Sequence, residues 1–197
     1  MMVHQESLRV FCAAEIPDEE NQRVAEYASH LRSRFPDVVA RWERTEKLHV
    51  TLKFFGEISP PRIEELSRAV ARAADGVAPF SLVVEGTGFF PPRGAARVLW
   101  LGVGDESDGL HELQRRVEDE CATAGAASFA REPRPFRPHL TIARLRTPRG
   151  ARAIADAHRG SSFRGEAFTV SELVVMRSEI TAGGSRYSTL SRHPLQR

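Results

Sequence analysis

Apolar residues along this chain alternate between short dense runs and stretches where they recur every third or fourth position, two periods that predict strands and helices in turn. Residues 8–16 form an apolar, β-compatible run stopped by Pro17, and from Asp18 to about residue 35 Val24, Tyr27, Ala28 and Leu31 recur at helical spacing. Residues 38–42 and 48–55 are rich in β-formers and flank a polar turn at 43–47, which reads as two paired strands before Gly56 and Pro60-Pro61 punctuate the chain. Ile63, Leu66, Ala69, Val70 and Ala73 then trace an i, i+3, i+4, i+7 stripe, predicting an amphipathic helix over 62–74 with a charged outer face.

Residues 80–90 and 97–103 are the next strand candidates, joined in hairpin fashion through Pro91-Pro92-Arg93-Gly94. Leu110, Leu113, Val117, Cys121 and Ala124 mark a third helix ending near Gly125, and the proline-rich segment 133–138 cannot continue any regular element. A strand over 139–145, a short helix over 151–158, and strands over 168–176 and 187–190, with Thr181-Ala182-Gly183-Gly184 as a turn, complete the pattern. The sum is an α+β protein with mostly antiparallel strands.

Composition narrows the class. With 197 residues, 41% hydrophobic and 27% charged, the expectation is a soluble single domain over 1–197, built of two similar lobes. The 28 basic and 26 acidic residues leave a net charge of +2, too weak a field to argue nucleic-acid binding, so any basic surface must be local. Only Lys47 and Lys53 are lysines; guanidinium forks suit phosphate, although a compositional bias explains the arginine excess as well. Cys12 and Cys121 stand in no metal-ligand spacing and read as core thiols, so no metal and no cofactor are expected. Residues 1–15 lack the basic and apolar regions of a signal peptide, and no run of 18 apolar residues occurs, so the expected setting is cytoplasmic with no membrane contact. A monomer is the default.

The candidate chemistry lies in two tetrapeptides, His49-Val50-Thr51-Leu52 and His139-Leu140-Thr141-Ile142, the second starting 90 residues after the first. Given the number of histidines and threonines, chance supplies about 0.3 H-x-T triplets in such a chain, so two with matching apolar neighbours disfavour coincidence. On a strand, side chains two apart share a face, which puts His49 with Thr51 and His139 with Thr141 and turns the apolar residues to the core. If the two strands sit side by side about a pseudo-twofold axis, two imidazoles and two hydroxyls converge on one cleft where a phosphate fits. Hydrolysis of a cyclic phosphodiester needs a proton removed from water and another delivered to the departing ribose oxygen, and imidazoles near their ordinary pKa can do both without a metal.

The paired H-x-T-x motifs resemble those of the two-histidine phosphoesterase superfamily, and within it the 2'-5' RNA ligase-like branch, regarded as RNA 2',3'-cyclic phosphodiesterases. Leu8-Arg9-Val10-Phe11 with Ile16-Pro17 is similar to that family's opening strand, LHVTLKFFG over 48–56 to its first motif, RPFRPHLTIAR over 134–144 to its second, and RVLWL over 97–101 to the strand between. The resemblance runs from about residue 8 to residue 195. It implies a bilobal, pseudo-twofold fold with antiparallel sheets lining a central cleft and helices outside, one motif coming from each half. It also implies opening of a terminal 2',3'-cyclic phosphate to a 2'-phosphomonoester, with weak reverse 2'-5' ligation, on RNA ends such as tRNA halves. By the same resemblance His49 is the proton donor to the leaving 3'-oxygen and His139 the acceptor from water, Thr51 and Thr141 hold the non-bridging oxygens, Arg144 clamps phosphate and Phe54 stacks on a base. Strict alternation turns Phe54 and Arg144 the wrong way, so their roles demand a bulge or strand end just past each motif.

Other residues carry plainer expectations. His4, His30, His111, His158 and His193 read as structural or exposed, Trp42 and Trp100 as core or lobe-interface residues, and Arg93, Arg97, Arg131, Arg134 and Arg137 as solvated loop arginines that could rim an RNA groove. A small cyclic nucleotide or an ADP-ribose cyclic phosphate is the rival substrate, and a non-catalytic RNA-binding module the rival class.

Overall fold

The continuous apolar run at the start of the chain cannot alternate, and the fold covers it on both faces. In a computed structural model describing residues 7–44, 48–124, 129–181 and 184–196, this run is β1 (Leu8–Glu15), in which Val10, Phe11, Cys12, Ala13 and Ala14 are at most 1% exposed. It occupies the interior of a four-stranded sheet with order β3-β1-β8-β9. Pro17 then admits α1 (Asp18–Arg34), whose acidic first turn and basic last turn complement the helix dipole. The chain continues through β2 (Ala40–Trp42), β3 (His49–Ile58), a 3₁₀ turn at Pro60–Arg62, α2 (Ile63–Ala74), β4 (Phe80–Phe90), β5 (Val98–Gly104), α3 (Gly109–Ala122), β6 (His139–Leu145), α4 (Ala151–Arg159), β7 (Arg164–Val170), β8 (Glu172–Thr181) and β9 (Gly184–Pro194). The second sheet has five strands in the order β2-β6-β5-β4-β7. All ladders between these strands are antiparallel, giving the expected α+β architecture.

The stripes read from the sequence face inward. Leu66, Ala69, Val70 and Ala73 of α2, and Leu110, Leu113, Val117 and Cys121 of α3, are fully buried in the main core. The two helices are also tied together by Arg72 Nε to Glu120 Oε2 at 2.7 Å and by Arg116 Nε donating to the Ala73 carbonyl at 2.9 Å. A smaller cluster of Phe11, Ala13, Val174 and Met176, with Tyr187 packed on it, covers the other face of the first sheet.

Two expectations change. The runs at 38–42 and 48–55 are not paired with each other: β2 pairs with β6, Arg41 opposite Arg144, whereas β3 pairs with β1, Ala14 opposite Val50. The run at 168–176 is two strands broken at Ser171, β7 on β4 in the second sheet and β8 on β1 in the first. Both errors have one cause: a hydrophobic run reports burial, not which sheet the strand joins. As a result the sheets do not follow the halves of the sequence; β8 and β9 return to complete the sheet that β1 and β3 began. His4, the turn residues 45–47 and 182–183, and the helix end at Gly125 lie outside the described residues.

Candidate active site

His49 and His139 each begin a strand, β3 and β6, and these strands belong to different sheets rather than lying side by side in one. In both, alternation holds for the first four residues, with the histidine and threonine half-exposed and the apolar residues between them buried. Then each strand bulges. Across β1 and β3, Ala13 faces Thr51 and Cys12 faces Lys53, leaving Leu52 with no opposite residue. Across β5 and β6, Trp100 faces Thr141 and Leu99 faces Ala143, leaving Ile142 likewise. One extra residue reverses the phase of everything after it. Leu52 and Lys53 are therefore both buried, as are Ile142 and Ala143, while Phe54 and Arg144 return to the histidine face.

His49, Thr51, Phe54, His139, Thr141 and Arg144 all line one cleft of about 620 Å³. The ring of His49 stacks on Phe11, centroids 4.7 Å apart and planes 26° apart, and meets Tyr187 edge-on at 5.1 Å. His139 is fixed through its Nδ1. Its Nδ1–H donates to the Arg137 carbonyl at 2.7 Å, and Phe90 stands edge-on at 5.1 Å. Because a carbonyl only accepts, this bond sets the tautomer and leaves Nε2 as the proton acceptor of the neutral ring. Burial lowers the pKa of His139, the Arg137 carbonyl opposes that, and the nearby Arg144 charge lowers it again, so the ring is held below the ordinary imidazole range.

Three cations of the cleft carry carboxylate partners. Arg144 Nε donates to Glu43 Oε1 at 3.2 Å, and Arg134 engages both oxygens of Glu132 at 2.7 and 2.8 Å. Lys53, only 3% exposed, reaches Glu118 Oε2 and the Ala130 carbonyl, each at 2.7 Å. The sequence reading missed Glu43, Lys53, Phe11, Phe90 and Tyr187. For Lys53 a signal existed: it is one of only two lysines in an arginine-rich chain and lies inside an apolar strand. The others carry no local mark, since their place comes from how separate strands meet.

The plainer expectations divide. His158 is fully buried, accepting from the Tyr27 hydroxyl at 2.7 Å and donating from Nε2 to the Trp100 carbonyl at 3.0 Å, a structural histidine that burial keeps neutral. Trp100 is not a core residue. Its indole lies against Gly88, where a Cβ would come within 2.1 Å of the ring, and lines a recess of about 430 Å³ together with Phe136 and His139. Arg134 and Arg137 line the cleft, whereas Arg131 pairs with Asp119 at 2.6 Å. Trp42 packs half-buried against the main core. Asp105, Asp108 and His111 could bring ligand atoms within 4.8 Å of one another, but the Asp105 oxygens already accept from Ser107 and from the Leu110 N–H at the start of α3, and none of the three lines the cleft.

Comparison with known proteins places this geometry. Residues 17–181 match the family model of the 2'-5' RNA ligase superfamily. A protein of Geobacillus stearothermophilus named RNA 2',3'-cyclic phosphodiesterase is 34% identical over 94% of this chain, which spans 56% of that relative's length. One of the same name from Methanothermobacter thermautotrophicus is 29% identical, with 93% of this chain and 96% of the relative covered. The crystal structure of TT0787 from Thermus thermophilus superposes with a TM-score of 0.81 at 27% identity, covering 95% of this chain and 98% of that one. With two H-x-T strands facing one cleft inside the matched segment, the chain belongs to the 2'-5' RNA ligase superfamily.

Proposed function

We propose that this chain is an RNA 2',3'-cyclic phosphodiesterase that opens a terminal cyclic phosphate to a 2'-phosphomonoester by passing protons through His139 and His49. The observation that carries the reading is the convergence of two imidazoles and the Arg144 guanidinium on one cleft, in a chain whose relatives bear that name. A neutral His139 with Nε2 as acceptor suits the base. Water attacks phosphorus and gives its proton to His139; the bond from phosphorus to the 3'-oxygen breaks, and His49 protonates that oxygen. Thr51 and Thr141 hold the non-bridging oxygens, Arg144 clamps the phosphate and Phe54 stacks on the terminal base. With a 5'-hydroxyl in place of water as the nucleophile, the same steps join two RNA ends through a 2'-5' phosphodiester and free the 3'-hydroxyl, a weak ligation. RNA ends such as tRNA halves are the substrate we favour, met by a monomer in the cytoplasm; two buried free thiols fit that reducing setting, and no helix among the described residues is long and apolar enough to cross a membrane.

The test is incubation of the purified chain, in EDTA, with an oligonucleotide ending in a 2',3'-cyclic phosphate, alongside a cyclic mononucleotide. The expected product is a 2'-phosphate, formed faster on the oligonucleotide, and His49→Ala or His139→Ala should each slow it by about a hundredfold or more. A 3'-phosphate product, or turnover retained in either variant, would overturn the mechanism.

A further inference from the structure

Proton transfer makes no use of Glu43, yet the fold holds it firmly in the cleft. Its backbone N–H donates at 2.9 Å to the carbonyl of Ile142, the residue that the β6 bulge leaves without an opposite. That bond carries the chain past the end of β2 and alongside the bulge, where the Glu43 side chain, 11% exposed, meets the half-exposed Arg144. The contact is to Nε, which leaves the Nη1–Nη2 end of the guanidinium for an anion. Any phosphate clamped by Arg144 therefore sits a few ångströms from a fixed negative charge. Lys53 and Arg134 are likewise matched by carboxylates, so three of the four described Lys and Arg side chains lining the cleft have a negative charge beside them, Arg137 being the fourth.

Resting on the reaction proposed above, we infer that Glu43 sets the charge preference of the phosphate site, favouring a singly charged phosphodiester over a doubly charged phosphomonoester. The cyclic substrate carries one negative charge, whereas the monoester product, with a second pKa of about 6, carries close to two at pH 7.5. At a separation of roughly 6 Å in a partly exposed cleft, each added charge on the ligand is disfavoured by Glu43 by about tenfold. Glu43 thus offsets the extra affinity that the Arg144 guanidinium would give the doubly charged product, and so favours its release. A different duty for Glu43 would be to relieve the repulsion between Arg144 and Arg41, which face each other across β2 and β6. Losing that relief would change the binding of all anions alike.

Two ligands separate these accounts: an oligonucleotide ending in a 2'-phosphate, and the same oligonucleotide ending in the 2'-methylphosphate, which differs by one charge. Their Kd values are measured at pH 7.5 by fluorescence anisotropy on the full chain, Glu43→Gln and Glu43→Asp. Glu43→Gln should tighten the diester about tenfold and the monoester about a hundredfold, a tenfold shift of the ratio toward the monoester, and Glu43→Asp should keep the parent ratio. Because both ligands are read on one preparation, any loss of folded protein cancels from the ratio. An unchanged ratio in Glu43→Gln would overturn the inference even if cyclic ends are hydrolysed, whereas failure to hydrolyse them would sink the reaction and leave the binding ratio standing.

Discussion

His49 and His139 start their strands, each is followed two residues later by threonine, and each strand bulges at the next residue. Past the bulge the two regions part: β3 continues with Lys53 and Phe54, β6 with Ala143 and Arg144. Their histidines also have different aromatic neighbours, His49 the ring face of Phe11 and the edge of Tyr187, His139 the edge of Phe90. The backbone device is shared, and the side chains it aims are not. Past the bulge β3 gives the cleft the ring of Phe54 and β6 the guanidinium of Arg144, so in the function proposed above the base contact and the phosphate contact fall to different strands.

The largest expected effect breaks the comparison at the residue just past the bulge. Ala143 needs no partner, but Lys53 buries an ammonium whose charge is balanced by Glu118, and Glu118 in turn accepts from the Glu132 N–H at 3.3 Å. Lys53→Met strands that carboxylate and should cost about 3 kcal/mol in urea denaturation, while adding Glu118→Leu should recover a good part of the loss. A cost under about 1 kcal/mol for the single change would mean that the β3 bulge is no more anchored than the β6 bulge.

Arg144 sharpens the comparison through chemistry. Arg144→Gln should lower kcat/KM by roughly 10- to 100-fold, the scale for losing a charged donor to a phosphate in a partly desolvated site. It should also move the pH profile. With His139 as the base, activity falls as pH drops through its pKa, which burial and the Arg144 charge keep below the ordinary value of about 6.5. Removing the guanidinium removes one of the lowering causes, so the acid limb of kcat/KM shifts to higher pH. A limb that stays or moves down would detach Arg144 from His139 and remove the electrostatic half of the asymmetry.

Much of this was legible in the sequence because it is local. The two H-x-T strands, the amphipathic stripes of α2 and α3 and the hairpin around Pro91-Pro92 follow from periodicity and turn chemistry. The need for a bulge follows from parity once the family resemblance assigns Phe54 and Arg144 to the ligand, since an odd offset from each histidine cannot share its face on a regular strand. What sequence could not supply is pairing. Residues 38–42 and 48–55 look alike as hydrophobic runs, and nothing within either says that one joins β6 and the other β1. Glu43 was invisible for the same reason: its meaning lies in Arg144, 101 residues away. In sequence Phe11 is one residue of an apolar opening strand, and only the meeting of β1 with β3 makes it the floor under His49.

The smallest effect tests the aromatic side of the comparison. Phe54 is 58% exposed, an unusual state for a large apolar ring, and its centroid lies 5.6 Å from that of Phe11. Since so much of the ring is in water, truncating it removes little packing, and Phe54→Ala should leave the melting temperature nearly unchanged. Stacking by a single aromatic is worth about 1–3 kcal/mol per base, so KM for a cyclic-ended oligonucleotide should rise about tenfold while kcat changes little, the pattern of binding shared equally by ground and transition states. An oligonucleotide whose terminal ribose carries the cyclic phosphate but no base makes the comparison internal: on it the parent and Phe54→Ala should have the same KM. If the variant still lags on the baseless end, Phe54 supports the cleft wall rather than the base, and the division of labour between the two strands would rest on Arg144 alone.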